Sequence, residues 1–495
     1  MRFAIPASAI LAVTLAAFSP LTSAATLDAH DLAGVWLSRA GTPRLLPMDH
    51  SALPLSAVGR ARYEKNVAGL KDGSIVDDAV HLCLAQGMPR AMTSAYPFQI
   101  MMTPGQVSFA HEINPFYRTV RFSGQNADPE DWDPAFMGEG IAAWQGNTLV
   151  IDSTNFKAGR IYLDNSGLPA SDQLHLVEHL TLIDGARQLE ALVTVDDPVM
   201  FTRPWTARLR FDRRPDIVLK TDAVCGEPPR DLAMLRKKPA RRAATALAGK
   251  EAGAVAGVSA AHMAFNNYWR GPEYGGKPGG PARTGGAAPG TGPMAAVTSL
   301  MQPWAAAKFA QLQAIEKSGQ FFSTPSNRCI PSLVPGIGPP MQTQILVEAR
   351  QVTFLYELNR TMRIVRIDQP HPVPLAPSWL GDSIGHWEGD TLIIDTIGFN
   401  DKNVLANAVP MTSQMHIVQK LQMVNGMLEE HTTFDDPGAL TARFDKAVTF
   451  RPGSAFQEFA CAENNQEGGV PTSSGVPTGY NMPKAAPAPA ASPAP

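Results

Sequence analysis

The sequence predicts a mainly β protein: two tandem antiparallel β-barrel-like domains, each preceded by a short helix, with a β-sandwich as the competing architecture. Three observations lead there. The chain repeats itself at long range, each copy is a series of short alternating runs broken by turn residues, and the four cysteines fall two to a copy, one near each end.

The repeat is plain in residues 99–121 and 344–366, which align without a gap and share ten identities in 23 positions, QIMMTPGQVSFAHEINPFYRTVR against QILVEARQVTFLYELNRTMRIVR. Trp144 to Leu149 (WQGNTL) answers Trp387 to Leu392 (WEGDTL), Leu174-His175 answers Met415-His416, and Asp196-Asp197-Pro198 answers Asp435-Asp436-Pro437. Self-similarity of this kind sets the domain count before any local reading. It gives copy one over 26–230, an Ala/Gly/Pro-rich linker over 231–298, copy two over 299–470 and a disordered Pro/Ala tail over 471–495. Within the linker, the aromatics of 263–276 are expected to dock on the second domain.

Residues 1–25 read as a signal peptide: Arg2 supplies the positive start, Ala4 to Phe18 is apolar, and Ser23-Ala24-Ala25 offers small residues for cleavage. The apolar run is shorter than the roughly 20 residues of a spanning helix. The expected location is therefore periplasmic or secreted. Charged residues are 18% of the 495 and the net charge is −3, so no field of one sign points to nucleic acid or an anionic membrane. The largest basic cluster, Arg236-Lys237-Lys238 with Arg241-Arg242, falls in the linker.

Within copy one, 58–73 and its counterpart 304–319 each read as a helix ending at a glycine. Strands are then expected at 98–103, 106–114, 118–123, 140–145, 147–154, 174–183, 188–196, 205–212 and 217–224, with Gly34-Val35-Trp36 as an opening strand. Gln145-Gly146-Asn147 and Asp184-Gly185-Ala186 are hairpin-turn signals. That many sequential strands favours closure into a barrel, which removes exposed edges. In an oxidising compartment the cysteine placement favours disulfides Cys83–Cys225 and Cys329–Cys461, although spacing leaves other pairings open. Loops of that length contribute about 4–5 kcal/mol each on the entropic view.

Candidate chemistry rests on polar residues present in both copies: Glu112 and Glu357, Asp152 and Asp395, His175 and His416. Glu112, Asp152 and His175 form the candidate catalytic set, since a carboxylate and an imidazole sharing a barrel mouth suit general acid–base work. His111, Arg118, Trp144, Trp205, Glu357, Asp395 and His416 are the candidate ligand-binding residues. The copies differ at His111/Tyr356, Glu178/Gln419, His179/Lys420 and Trp205/Phe444, which makes copy one the richer in polar groups. The WEGDTL run reads as a hairpin, because copy one replaces its acids by Gln145 and Asn147 and turn chemistry survives that exchange. Gly381-Asp382-Ser383-Ile384-Gly385 matches the nucleophile-elbow string, but it leads into a hairpin and copy one has no serine there. His175 and His179, four residues apart on a strand, stand roughly 13 Å apart and cannot chelate one metal. No metal site and no cofactor motif is read.

Asp133 to Gly138 (DPAFMG), WEGDTL, Gly167-Leu168-Pro169 with Ser171 to His175, and Asp197-Pro198 with Phe201 to Thr206 together resemble a bacterial family of exported proteins of unknown function. The resemblance covers most of both copies, implies no particular activity, and fails at Ala170, where that family leads one to expect His. Gly34-Val35-Trp36 also resembles the opening strand of the lipocalin-like (calycin) barrels. The expected function is binding of a small apolar or aromatic molecule. A cofactor-independent hydrolase, lyase or isomerase using copy one's acid/base residues, and an envelope interaction module, are the alternatives. Oligomeric state is not legible.

Overall fold

A computed structural model of the chain describes residues 30–41, 44–77, 79, 84–112, 116–124, 133–157, 161–221, 258–271, 297–317, 342–357, 361–405 and 409–456. The signal segment, all four cysteines, the basic cluster and the Pro/Ala tail lie outside them.

Two closed barrels of nine strands stand in tandem, so the barrel and not the sandwich is the architecture. Barrel one runs β1 (Gly34–Ser38), β2 (Phe98–Thr103), β3 (Gln106–His111), β4 (Phe116–Phe122), β5 (Glu139–Gln145), β6 (Thr148–Thr154), β7 (His175–Ile183), β8 (Gln188–Asp196) and β9 (Trp205–Arg213), and closes by pairing β1 with β9. Barrel two runs β10 (Asn267–Arg270), β11 (Gln342–Glu348), β12 (Gln351–Tyr356), β13 (Met362–Ile367), β14 (Asp382–Glu388), β15 (Thr391–Ile397), β18 (His416–Val424), β19 (Met427–Asp435) and β20 (Phe444–Pro452). A small hairpin, β16 (Val404–Leu405) with β17 (Val409–Pro410), interrupts it. Inward positions are apolar and outward ones polar: Trp205, Ala207, Leu209 and Phe211 of β9 face the core, while Arg208 and Arg210 face water. That alternation is the reverse of a membrane barrel's. No helix among the described residues is long and apolar enough to cross a membrane.

The structure departs from the sequence reading at four places. Neither barrel is a pure antiparallel meander, because β4–β5 and β13–β14 are parallel, joined by crossovers too long to be hairpins. The helix α1 (Ala57–Asp72) lies between β1 and β2 rather than ahead of the barrel. Ser56 caps it by accepting from Gly59 N, and Gly73 ends it at φ 79°. The expected strand 217–224 is not a strand over 217–221, since β1 already occupies β9's free edge; Ile217 and Leu219 instead bury against the outer wall. Finally, the aromatic stretch placed in the linker supplies the short helix α2 (Ala260–Met263) and β10, the first strand of barrel two. Trp269 there repeats Trp36: each indole Nε1 donates at 3.0 Å to a carbonyl four residues back, Phe265 and Leu32 respectively. The helix α3 (Pro303–Lys317) follows β10 as α1 follows β1.

The barrels meet through the same face of each copy. Met101, Ala110 and Tyr117 pack against Leu346, Leu355 and Met362, which are the same three repeat positions in the other copy. Gln99 Nε2 donates to Gln351 at 2.9 Å, and Gln344 Nε2 donates to Gln106 at 2.7 Å, the two bonds exchanging equivalent residues. The contact is thus isologous in the sense of a two-fold dimer, written within one chain. It also explains why β3 is buried along its whole length, with one face to the core and one to the partner barrel.

Candidate functional site

A polar group at an inward strand position is costly unless it is paired. Both barrels carry such groups at equivalent places. In barrel one, period-two alternation turns Arg118 inward between Phe116 and Val120. Its Nη1 donates to Glu178 Oε2 at 2.7 Å and its Nη2 to Ser153 Oγ at 2.6 Å, with the Phe109 ring 5.8 Å from Cζ. Arg118 is 3% exposed and Glu178 0%. His111 sits beside them, its ring stacked 5.6 Å from Phe98; burial first and Arg118 second push its pKa down to about 3, so it is neutral at pH 7. Among the described residues, Arg118 Nε, Glu178 Oε1 and His111 Nε2 are buried without a hydrogen-bond partner.

Barrel two keeps the arginine and rearranges its company. Arg363 Nε donates to Ser383 Oγ at 2.9 Å and Nη2 to Thr396 Oγ1 at 2.8 Å, with Phe354 5.4 Å from Cζ. Tyr356 and Gln419 take the places of His111 and Glu178. The carboxylate has moved one strand on, to Glu430, where it accepts from Gln419 Nε2 at 3.0 Å and Thr432 Oγ1 at 2.8 Å. Burial lowers the pKa of Arg363, while Tyr356 and, at longer range, Glu430 favour its charge. Arg363 Nη1 and Gln419 Oε1 have no hydrogen-bond partner.

The candidate catalytic set does not come together. Asp152 and His175 meet on the outer wall, Oδ1 to Nε2 at 2.8 Å, both well exposed. Glu112 follows β3, three strands away and roughly 14 Å along the sheet, where its buried carboxylate accepts from Lys220 N at 2.9 Å. Position around the wall accounts for the split: by alternation with inward Phe109 and outward Ala110, Glu112 is on the outer side as Asp152 and His175 are, but on strands too far apart for contact. Glu357 likewise accepts from a backbone amide, that of Gln342 at 3.0 Å, and burial raises its pKa.

Asp395 and His416 repeat the outer dyad at 2.7 Å, and here His371, from the β13–β14 crossover, joins in. Its Nε2 lies 3.0 Å from Asp395 Oδ1 and its Nδ1 2.6 Å from Asp382, which Arg366 also holds at 2.7 and 2.9 Å. Among the described residues no cluster of His, Cys, Asp and Glu could hold a metal ion.

The remaining candidates are structural supports. Trp144 is half-buried beneath the β5–β6 hairpin with His30 4.2 Å from it, and His30 bonds the Gly146 carbonyl. His262 does the same to Trp387 and Gly389. Both glycines have φ near 60°, so the WEGDTL runs are hairpin turns. Trp205 is a core residue against Phe201. Ser383 is inside barrel two as Arg363's acceptor, not at an elbow. Asp197 and Asp436 fasten loops to the barrel, accepting from Ser171 N and Thr412 N, each at 2.7 Å.

Sequence reasoning named Arg118, His111 and the Glu178/Gln419 difference but did not join them, and it missed Ser153, Arg363's hydroxyl partners and Glu430. The available signal was an arginine at an inward position in both copies. No family profile matches the chain, and no curated protein or solved structure does either.

Proposed function

We propose that this is an exported binding protein whose barrels each enclose a small, largely apolar or aromatic molecule, with the buried arginine and its neighbours as the polar anchor. The observation that supports it most is the set of partnerless polar atoms at the centre of each otherwise apolar interior. An unsatisfied buried polar group costs about 1–3 kcal/mol, and a guest that donates and accepts there offsets that cost. The aromatic walls, Phe98 and Phe109 in barrel one and Phe354 with Tyr356 in barrel two, suit a flat apolar body. In barrel one the charges balance, Arg118 against Glu178 with His111 neutral, which favours an uncharged guest. The test is a thermal-shift panel of aromatic and lipid-like molecules on the full chain. Stabilisation by a subset, diminished in Arg118→Met, supports the reading; a flat response across the panel sinks it.

A second reading has one observation in its favour, the Asp–His dyad present on both outer walls. A carboxylate holding an exposed imidazole is an arrangement for general acid–base chemistry. On this reading Asp152 and His175 act without Glu112, and His175→Asn abolishes turnover of an ester or lactone substrate while leaving the thermal midpoint unchanged. Turnover at the wild-type rate in that variant would remove it.

A further inference from the structure

The two polar centres differ in the one respect that decides ligand charge. In barrel one the guanidinium of Arg118 is neutralised by a carboxylate in direct contact. In barrel two the residue at that place is Gln419, and Arg363, 2% exposed, contacts only hydroxyls through Nε and Nη2. Glu430 is held by two other donors, Gln419 Nε2 and Thr432 Oγ1. Nη1 of Arg363 is buried and makes no hydrogen bond among the described residues. The Tyr356 hydroxyl is a near neighbour that favours the guanidinium's charge, by proximity first and by hydrogen bonding second, but its pKa is raised by burial, so the phenol is neutral and supplies no counter-charge. A buried guanidinium without a contacting anion is an incomplete ion pair, and planar carboxylates are its natural complement.

We infer that barrel two, and not barrel one, takes a ligand bearing a carboxylate, which docks on Nη1 of Arg363, the atom whose barrel-one equivalent Glu178 holds. The ligand's body lies against Phe354, whose ring centroid is 5.4 Å from Cζ of Arg363. This rests on the barrel interiors being binding sites. It adds the chemical class and assigns it to one copy.

The repeat supplies its own control. Because Gln419 donates to Glu430, the double variant Gln419→Glu/Glu430→Gln moves the carboxylate to barrel one's position, fills the site with an internal acid and leaves the net charge unchanged. The experiment is calorimetric titration of the full-length chain with benzoate and phenylacetate, and with the neutral isosteres benzamide and phenylacetamide. The expected result is one carboxylate site per chain and at least tenfold weaker binding of the amides, a difference of about 1.4 kcal/mol. Gln419→Glu/Glu430→Gln is expected to weaken carboxylate binding at least tenfold with a thermal midpoint close to the wild type's, and Arg363→Met to abolish it. Equal affinity for acids and amides, or full carboxylate binding by Gln419→Glu/Glu430→Gln, overturns the inference. If neutral apolar molecules stabilise the chain and carboxylates do not, the inference falls while the barrel-binding reading stands; if nothing binds, both fall.

Discussion

Barrel one and barrel two share strand count, strand order, the parallel pair, the indole-to-carbonyl bond of the opening strand and the histidine-stapled hairpin. Inside, the arginine, the hydroxyl that accepts from its Nη2 and the phenylalanine beside it are constant. The carboxylate sits on β7 in one copy and on β19 in the other, and the copy that lost the contacting acid has Ser383 where its sibling has Gly140. The two copies thus differ in the carboxylate and in the imidazole or phenol beside a buried cation, and share the cation, its hydroxyl acceptor and its aromatic neighbour. That separates what the fold needs, an apolar wall in register, from what the interior is for.

The difference can be broken most forcefully at the acids. Glu178→Gln leaves Arg118 buried without a counter-charge and is expected to cost about 3–5 kcal/mol. Glu430→Gln disturbs two neutral donors in contact and a longer-range attraction to Arg363, and is expected to cost less, about 1–3 kcal/mol. Urea denaturation of both variants checks this, and equal losses would mean the two arginines are equivalently compensated after all.

A pH series sharpens the comparison next. His111 is held neutral with a folded pKa of about 3 against an ordinary 6.5, so the unfolded chain binds the extra proton. Its contribution is fully present above pH 6.5 and is lost as the pH falls towards 3, at about 1.4 kcal/mol per pH unit. Tyr356 occupies this place in barrel two and has no such titration. Replacing His111 by Phe should flatten the acid limb of the stability curve over that window; an unaltered limb would show that His111 is not what responds.

The smallest expected effect concerns the contact between barrels. Gln99→Ala and Gln344→Ala remove equivalent donors of the exchanged pair and should each cost about 0.5–1.5 kcal/mol. Markedly unequal losses on thermal denaturation would show that the two-fold likeness of the interface is not energetic.

Much of the barrel was legible in the sequence because strand alternation and glycine turns are local. The boundaries of β2, β8 and most of β9 follow from them directly. The parallel crossovers were not legible, since nothing in 123–138 or 368–381 announces that the chain re-enters beside β4 or β13 in the same direction. β10 was hidden by its surroundings: four residues between low-complexity segments look like linker until Trp269 is matched to Trp36. At the sites, the Asp152–His175 and Asp395–His416 pairs were named as residues, and the structure joins them because they face outward on adjacent strands. Glu112 resembled their partner only in residue type. The relocated carboxylate escaped because the exchange crosses strands, and a copy-to-copy alignment compares like positions only.

The central claim, that the barrel interiors hold guests on their buried arginines, is tested most directly by native mass spectrometry of the full-length chain purified from an exporting host without refolding. The account predicts adducts of small discrete mass that are released on denaturation and diminished in Arg118→Met or Arg363→Met. A bare chain mass in the wild type, unchanged after incubation with the aromatic and carboxylate panels, would contradict it.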